Sequence, residues 1–517
     1  NSGGFFGADM KFAGYDVIIV EGRAQDLSCV VIRDDRVEIV LCPELKGKGI
    51  FETTDTLVEK HGRDTKVACI GPAGENLVLS AAIAADKFHY LARCAVGAVM
   101  GSKNLKAIAI NGTQGIKLAD PEAFLAKTLD CYRKIMADKT FADFSYYGTS
   151  IITDIAAASG GLSTRNGQTG VFQHAEKYSS HRFREDFCPR SESCFSCIIH
   201  CSHYTVIKEG KYNCGGKGPE YETFVALGTR PDLPELEPMI YANWLCNDLG
   251  MDTISVGGII GFLFECSEKG FIPEKYEWGN GEQVVELVKQ IAFRKGIGDE
   301  AAKGMKYLAE KIGQGSMDFA LQVKGMELPA YDPRTGKGFG LGLAVASRGG
   351  DHLRALPNFE LLSYKPEEGV KWFNDPHTVD PYAWQGKADM VLWHEDFAAV
   401  VDSAEMCKYC MFATYAILPP DLADLIRAAA GIPWDGKSIM KAGERILNVE
   451  RLFNVACGLT PEYDCLPKRF LKEPLPEGPA KGQVVELDKM LPRYYAVRGW
   501  GADGRPTAKK LKELGIQ

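Results

Sequence analysis

The feature that most constrains this chain is a run of three cysteines, Cys194, Cys197 and Cys201, spaced C-x-x-C-x-x-x-C. A loop that wraps around a small volume brings such thiols together, and iron–sulfur clusters are held by cysteine thiolates, four to a cubane. The fourth ligand must then come from another part of the chain, where Cys407 is the best candidate. The cysteines predict a [4Fe-4S] site whose ligands come from two segments that are distant in sequence.

A structural zinc ion is the main alternative, because Cys194 and Cys197 form one C-x-x-C unit and Cys407 and Cys410 form another. A second alternative is that these cysteines are buried and inert. Haem attachment is disfavoured, since Ile198 follows Cys197 where a histidine would be required. The spacing favours the cluster and leaves zinc open.

The composition limits the protein class. A chain of 517 residues with 45% hydrophobic content is expected to form two or three soluble domains. Its net charge of −8 argues against nucleic-acid binding, and we find neither a membrane-spanning apolar run nor a secretory signal. The 16 cysteines indicate a reducing, cytoplasmic compartment, because disulfide scaffolds are usually small and secreted. The glycine-rich start at residues 1–7, without Met, suggests that residues are missing before it.

The sequence predicts an α+β fold with a β-rich N-terminal domain and two mostly helical domains, divided at residues 1–118, 119–328 and 329–517. β-Branched runs predict strands at 16–22, 28–32, 37–41, 66–70 and 106–110, with a hairpin at the Asp34-Asp35 turn. Residues 81–94 are predicted to be helical. Helical spacing and capping residues predict further helices at 121–138, 235–248, 253–269, 284–295, 298–312, 420–430 and 439–456. No Gly-x-Gly-x-x-Gly follows a strand, so a Rossmann nucleotide site is not supported.

Five longer segments are distinctive: residues 71–77, 97–108, 218–223, 247–255 and 466–482. Together they resemble the tungsten-containing aldehyde:ferredoxin oxidoreductase family, and the likeness runs along the whole chain. The resemblance strongly favours the cluster over zinc. It also implies a further N-terminal segment, ahead of Asn1, that supplies part of the cofactor pocket.

The resemblance implies a tungsten or molybdenum ion bound by the dithiolenes of two pterins, with no protein ligand to the metal and a magnesium ion bridging the pterins. Asn1 and Gly3 correspond to positions that hold one pterin and the magnesium. Arg93 and Cys94 correspond to the facing positions, Cys94 through its backbone carbonyl. The pterin and cluster site is expected between the domains.

Two pterin-holding motifs of the form Asp-x-x-Gly-Leu-Asp/Cys are also implied. The first matches residues 247–252, where Asn247 replaces the leading aspartate and Met251 replaces leucine. Its remaining members are Gly250 and Asp252. The second matches residues 402–407, with Glu405 where glycine is expected. Its cofactor-binding members are Asp402 and Met406, and Arg354 is a further pterin contact. Taken alone, Asp252 reads as a helix cap and Asp402 as a solvated charge.

The catalytic residues implied by the resemblance are Glu222 and His352. Oxidation of an aldehyde with water requires a base for the water and a donor to polarise the carbonyl. Glu222 corresponds to the family's glutamate near the metal, with Glu220 as the rival on the same segment. His352 lies in a glycine-rich, charged loop, where functional residues concentrate.

The implied activity is oxidation of aldehydes to carboxylic acids, with electrons passing through the pterin and the cluster to ferredoxin. A docking patch for that carrier is predicted at Lys408, Arg190 and Lys208, and a homodimer or hetero-oligomer is compatible with the resemblance. Two alternatives remain open at this point. One is the catalytic subunit of a tungsten-dependent aromatic acyl-CoA reductase, and the other is a zinc-stabilised binding protein without catalytic activity.

Overall fold

The computed structural model describes residues 2–516. Within them, the N-terminal part contains a six-stranded sheet in the order β2-β1-β6-β3-β4-β5. β1 and β6 are parallel, and the other neighbouring strands are antiparallel. The strands are β1 (Ser28–Arg33), β2 (Arg36–Leu41), β3 (Lys66–Cys69), β4 (Ile83–Ala85), β5 (His89–Leu91) and β6 (Leu105–Asn111).

The two faces of this sheet are covered by different helices. Strand side chains alternate between faces, so Cys29 and Val67 pack with helix Ile50–His61 on one side. Val30 and Ile32 pack on the other side with helices Phe6–Phe12 and Val96–Ser102. A short helix, Pro72–Glu75, follows β3.

The predicted hairpin of β1 and β2 is confirmed, with Asp34 at a φ of +49° in its turn. The strands predicted at 66–70 and 106–110 are also confirmed. The strand predicted at 16–22 is wrong, because the segment has no strand pairing and its apolar side chains Val17 and Ile19 are exposed.

The helix predicted at residues 81–94 is also wrong, since the segment forms the β4–β5 hairpin. Asp86 and Lys87 both adopt positive φ, +50° and +72°, which turns the chain back on itself. Pairing of β4 with β3 buries Ala84 and Ala85 completely and overrides the helix propensity of the alanines. As a result, His89 lies at the start of the edge strand β5.

The remainder of the chain is mostly helical. Its α-helices are Pro121–Ala137, Phe141–Tyr147, Ile151–Ser159, Ser180–Phe187, Tyr221–Thr223, Leu236–Leu249, Thr253–Glu268, Gly281–Phe293, Ile297–Ala301, Met305–Ile312, Lys337–Val345, Pro366–Phe373, Lys387–Ser403, Pro419–Ala430, Gly436–Ala456, Lys468–Lys472, Leu487–Arg498 and Ala508–Leu514. Phe224–Thr229 and Tyr409–Ala413 are π-helical. Short 3-10 segments are Pro43–Leu45, Gly148–Ser150, Ala175–Tyr178, Ser316–Phe319, Pro333–Thr335, His352–Arg354, Asn358–Leu361, Pro376–Val379 and Pro461–Tyr463. Two small sheets complete it: β7 (Arg190–Glu192), β8 (Ser202–Ile207) and β9 (Cys214–Lys217), and β10 (Gln322–Val323) with β11 (Met326–Glu327).

The helices predicted after residue 120 are present with ends shifted by a few residues, except that the helix predicted at 298–312 is two helices separated at Gly304, whose φ is +87°. The α+β prediction, with its β-rich start and mostly helical remainder, is confirmed. The domain boundaries after residues 118 and 328 stay predictions. No helix among the described residues is long and apolar enough to cross a membrane.

The helix Thr253–Glu268 forms the centre of the largest hydrophobic core, where nearly its entire length is buried. At Gly257 a Cβ would lie 2.3 Å from the carbonyl oxygen of Ala226, so only glycine permits this close approach to the π-helical segment. That segment begins two residues after Glu222. The central helix therefore packs against the segment that continues from Glu222, one of the two predicted catalytic residues.

Candidate active site

The predicted cluster loop lies between β7 and β8. Ser196 and His200 adopt positive φ, +51° and +55°, which lets the loop curl tightly. The Cys197 backbone N–H donates to the Cys194 carbonyl at 3.2 Å. The loop keeps Cys194, Cys197 and Cys201 on one short, partly buried turn of chain.

Cys407 joins this loop from a distant segment that follows helix Lys387–Ser403. Burial, followed by the charges of Cys197 and Cys407, raises the pKa of Cys194, while the Gly4 backbone N–H lowers it. Burial also raises the pKa of Cys201 well above its ordinary value, and Cys407, Cys197 and Cys194 add to that effect. The four predicted thiols therefore lie within electrostatic range of one another.

Cys407 and Cys410 have unequal roles. A hydrogen bond from the Cys410 thiol lowers the pKa of Cys407, and the backbone N–H groups of Tyr409 and Cys410 contribute. The same bond, together with burial, raises the pKa of Cys410. The backbone N–H groups that reach the Cys407 sulfur favour a thiolate there, and Cys407 stays the predicted fourth ligand.

A single zinc ion and an iron–sulfur cluster place different demands on the spacing of thiols. Tetrahedral zinc with bonds of ~2.3 Å places its sulfurs ~3.8 Å apart. Within residues 2–516, no three His, Cys, Asp or Glu side chains are close enough to share one metal ion. A cubane binds each thiolate at a separate iron, so its ligands stand further apart.

A strained backbone marks the predicted pterin position at Arg93. Arg93, Cys94 and Ala95 have φ of +68°, +57° and +56°, and the left-handed region costs an ordinary residue ~1–2 kcal/mol. Such strain clusters at ligand sites.

Arg93 itself is only 7% exposed. It lies 3.6 Å from Asp252 and donates to the Glu327 carbonyl. Its Nε and Nη1 are buried and have no hydrogen-bond partner in the described part of the chain. Buried donors are normally satisfied, so these two suit an acceptor on a bound group.

The first predicted pterin motif also has a clear backbone role. Gly250, at φ +74°, ends helix Leu236–Leu249, and Met251 is buried in a bridge with Ala81. Asp252 caps helix Thr253–Glu268 by accepting from the Ile254 and Ser255 N–H groups at 3.3 and 3.0 Å. Asn247 is buried and donates to the Lys217 carbonyl at 3.3 Å. The pterin-holding role of the motif stays a prediction.

The second predicted pterin motif, residues 402–407, has glutamate at the position where the family pattern has glycine. Glu405 has a φ of +56°, which is the conformation that favours glycine at this position. The half-buried Met406 packs against the core around helix Lys387–Ser403. Asp402 lies 2.5 Å from Lys408 and 3.4 Å from Arg354. Lys408, at 12% side-chain exposure, is thus held inside the site, and its predicted place in a docking patch is wrong.

Cations converge around this second motif. Arg354 Nη2 donates to both carboxylate oxygens of Glu450, at 2.7 and 2.6 Å, while Nε has no hydrogen-bond partner within residues 2–516. Although burial opposes it, Arg348, Arg93 and His352 hold the pKa of Asp351 well below its ordinary range. Cys94 lies within electrostatic range of the positive charges of Arg348, Arg93 and Arg354. These cations and unpaired donors fit an anionic, hydrogen-bonding cofactor.

The two predicted catalytic residues lie side by side. His352 Nε2 is 3.5 Å from Glu222 Oε1, and the side chains are 14% and 19% exposed. Glu222 Oε2 accepts from the Ala330 backbone N–H at 2.7 Å. His352 Nδ1 is buried, lies 4.0 Å from Asp351 Oδ1 and has no hydrogen-bond partner in the described chain. The rival Glu220 instead accepts from the Thr149 hydroxyl and faces Cys201.

Gly3 lies at the cluster loop, where a Cβ would come within 3.1 Å of Cys194 Sγ. Asn1, predicted to hold a pterin and magnesium, lies outside the described residues. Sequence reasoning missed His89 and Lys217, which lie beside Cys194. No motif marks His89, and the wrong helix prediction at 81–94 hid its place on a strand.

Two family models match almost the whole chain. The model described as aldehyde ferredoxin oxidoreductase, N-terminal domain, matches residues 1–112, and the one for domains 2 and 3 matches residues 127–516. The chain belongs to the aldehyde ferredoxin oxidoreductase family. Among relatives of this family member, the tungsten-containing aldehyde ferredoxin oxidoreductases of Thermococcus kodakarensis and Pyrococcus furiosus are each 40% identical, covering 100% of this chain and 84% of theirs.

Two more distant relatives widen the comparison. The WOR-like subunit of an aliphatic sulfonate oxidoreductase from P. furiosus is 26% identical, covering 99% of this chain and 82% of its own. A solved structure, the active site complex BamBC of benzoyl coenzyme A reductase with 1,5-dienoyl-CoA, has a TM-score of 0.83 at 23% identity. It covers 100% of this chain and 83% of that chain, and at this identity it shows a shared fold alone.

Proposed function

We propose that this chain oxidises aldehydes to carboxylic acids, taking the oxygen atom from water: RCHO + H2O → RCOOH + 2H⁺ + 2e⁻. The observation that carries the proposal is the pair of Glu222 and His352, 3.5 Å apart. The pair lies among cations that suit an anionic cofactor and near four thiols that suit a cluster. The 40% identity to aldehyde oxidoreductases supports the same reaction.

In this proposal Glu222 and His352 divide the proton chemistry. The Ala330 N–H holds one Glu222 oxygen at 2.7 Å and leaves the other to take a proton from water or hydrated aldehyde. His352 is the donor that polarises the carbonyl, since its Nε2 lies 3.5 Å from Glu222 Oε1 at the same site. Their short separation allows the two groups to exchange the proton between turnovers.

The cofactors are part of the same proposal. A tungsten or molybdenum bis-pterin, when bound, would supply a two-electron acceptor, and a [4Fe-4S] cluster would pass single electrons to a ferredoxin. Arg93 and Arg354 would hold the pterins through their unpaired N–H groups, with Asn247, Asp252 and Asp402 beside them. Cys194, Cys197, Cys201 and Cys407 would bind the cluster. The proposal also includes a magnesium ion near Gly3 and the Cys94 carbonyl. It further includes a cytoplasmic location and a homodimer or hetero-oligomer.

Metal analysis and assays test it directly. Anaerobically purified protein should contain tungsten or molybdenum and about four irons per chain, and should oxidise a panel of aldehydes with a dye acceptor. Zinc without iron would refute the proposal in favour of a binding protein. Activity with aromatic acyl-CoA and none with aldehydes would support the reductase alternative. That alternative is tested because the chain shares its fold with the BamBC complex of benzoyl coenzyme A reductase.

The Glu222→Gln variant tests the assigned base. Removing the acid–base group should lower kcat by ~10²–10⁴-fold while the metal and iron content stay unchanged. Glu220→Gln is the matched comparison on the same segment and should retain much more activity. A larger loss from Glu220→Gln, at equal cofactor content, would reassign the base to Glu220.

A further inference from the structure

We propose that His89 donates an Nδ1–H···S hydrogen bond to Cys194 and thereby raises the reduction potential of the iron–sulfur cluster, with Lys217 fixing the histidine tautomer. His89 Nδ1 lies 3.9 Å from Cys194 Sγ, within the range of hydrogen bonds to sulfur. The proposal rests on the proposed function, because it requires the cluster at Cys194.

The direction of the hydrogen bond follows from Lys217. Lys217 Nζ lies 3.0 Å from His89 Nε2, and an ammonium group has three N–H donors and no lone pair. His89 Nε2 must therefore accept. The ring proton is then on Nδ1, the nitrogen that faces Cys194. Glu192 lies 3.1 Å from Lys217 Nζ and holds the ammonium in place.

Two glycines hold the imidazole against the thiol. A Cβ at Gly4 would lie 2.6 Å from His89 Cδ2, and a Cβ at Gly3 would lie 3.2 Å from His89 Nδ1. The backbone of this segment therefore packs directly on the ring beside the half-buried contact with Cys194. A hydrogen bond partly withdrawn from solvent is stronger than one in water.

Lys217 is also positioned by residues on the helix that leads into the first predicted pterin motif. Its backbone carbonyl accepts from Asn243 and Asn247, each at 3.3 Å, on helix Leu236–Leu249. Asn247 opens the first predicted pterin motif. The positions of Lys217 and His89 thus depend on the helix that leads into that motif, and His89 is a positioning residue for electron transfer, not a catalytic residue.

The expected effect is on the cluster potential. Hydrogen bonds to the sulfurs are one of the factors that set the potentials of iron–sulfur clusters. A donor withdraws charge from the thiolate and stabilises the reduced, more negative cluster. Removing it should lower the ratio of reduced to oxidised cluster at a fixed potential about tenfold, which equals ~59 mV for one electron.

The test is a redox titration of the cluster, followed by EPR, in anaerobic protein with about four irons per chain. His89→Leu should lower the potential by the amount given above. His89→Asn, which keeps an N–H near the Nδ1 position, should restore most of it. Lys217→Met should also lower the potential, because the ring proton is then free to move to Nε2. His200→Asn, an exposed histidine on the same loop, is the control and should cause no shift.

Unchanged potential in His89→Leu with full iron content would overturn the proposal, as would an equal shift in His200→Asn. If His89→Leu binds no cluster, Lys217→Met combined with Glu192→Gln decides, since it retains the histidine and leaves the local net charge unchanged: a lowered potential supports the proposal and an unchanged one overturns it. Wild-type protein without iron would instead refute the cluster itself. These outcomes separate failure of the hydrogen bond from failure of the proposed function, and none depends on aldehyde turnover.

Discussion

Asp252 has two physical roles that substitutions separate. It caps helix Thr253–Glu268, and it lies 3.6 Å from Arg93 with both side chains about 95% buried. Asp252→Asn keeps an oxygen for the cap and removes only the charge. Coulomb's law at this distance, with an effective dielectric constant near 20, gives ~4.6 kcal/mol for the lost attraction.

Part of that loss is recovered elsewhere. The charge of Arg93 also reaches Asp351, so Arg93 is not left without a counter-charge. We therefore expect Asp252→Asn to cost ~2–3 kcal/mol, somewhat below the ~3–5 kcal/mol usual for a fully orphaned buried charge. Asp252→Ala loses the cap as well, which adds ~1 kcal/mol.

Native-state hydrogen exchange of the amides in helix Thr253–Glu268 measures this locally, and this avoids treating a large multidomain chain as two-state. A double-mutant cycle with Arg93→Met isolates the ion pair. Adding Asp252→Asn to Arg93→Met should cost much less than Asp252→Asn alone. Strict additivity of the two changes would refute the ion pair, and equal protection in the Asn and Ala variants would refute the cap.

Two further predictions concern the cluster and pH. Cys407→Ser should lower iron well below four atoms per chain, whereas Cys410→Ser should retain it, because the Cys407 sulfur accepts the backbone N–H groups that favour a thiolate. The reverse order in iron analysis would contradict the ligand assignment. Burial lowers the pKa of His394 to about 4, with Nδ1 bonded to the Met390 carbonyl and Nε2 to the Tyr415 hydroxyl, each at 2.7 Å. The unfolded chain takes up this proton first, near pH 6.5, so the stabilisation is present above that pH and is lost as pH falls through 4. Denaturation should show ~2 kcal/mol less stability from this group at pH 5 than at pH 7, and His394→Gln should lack that part of the slope.

The parts of the fold with local signals could be predicted from sequence. Helix Thr253–Glu268 follows an apolar run with Asp252 at its cap, and Gly250 supplies the left-handed residue before it. The cysteine spacing likewise indicated which thiols share a site. In these segments the residues that determine the structure are neighbours in sequence, so the sequence pattern predicts the structure.

The missed features depend on long-range contacts. Alanine-rich residues 81–94 favour a helix locally, yet pairing with β3 makes them a hairpin. Only that hairpin places His89 next to Cys194 and Lys217, which are distant in sequence. Lys408 illustrates the same limit, since its burial beside Asp402 is set by the packed site and not by its charged neighbours in the chain.

The proposed ligands of the cluster are contributed at very different times during synthesis. The ribosome releases the loop bearing Cys194, Cys197 and Cys201 long before Cys407, which follows helix Lys387–Ser403. Until the C-terminal half of the polypeptide has docked, a cluster bound to the first three cysteines would lack its fourth protein ligand. Cluster insertion should therefore be a late event in maturation, and premature release from the ribosome would yield a product unable to retain its metal.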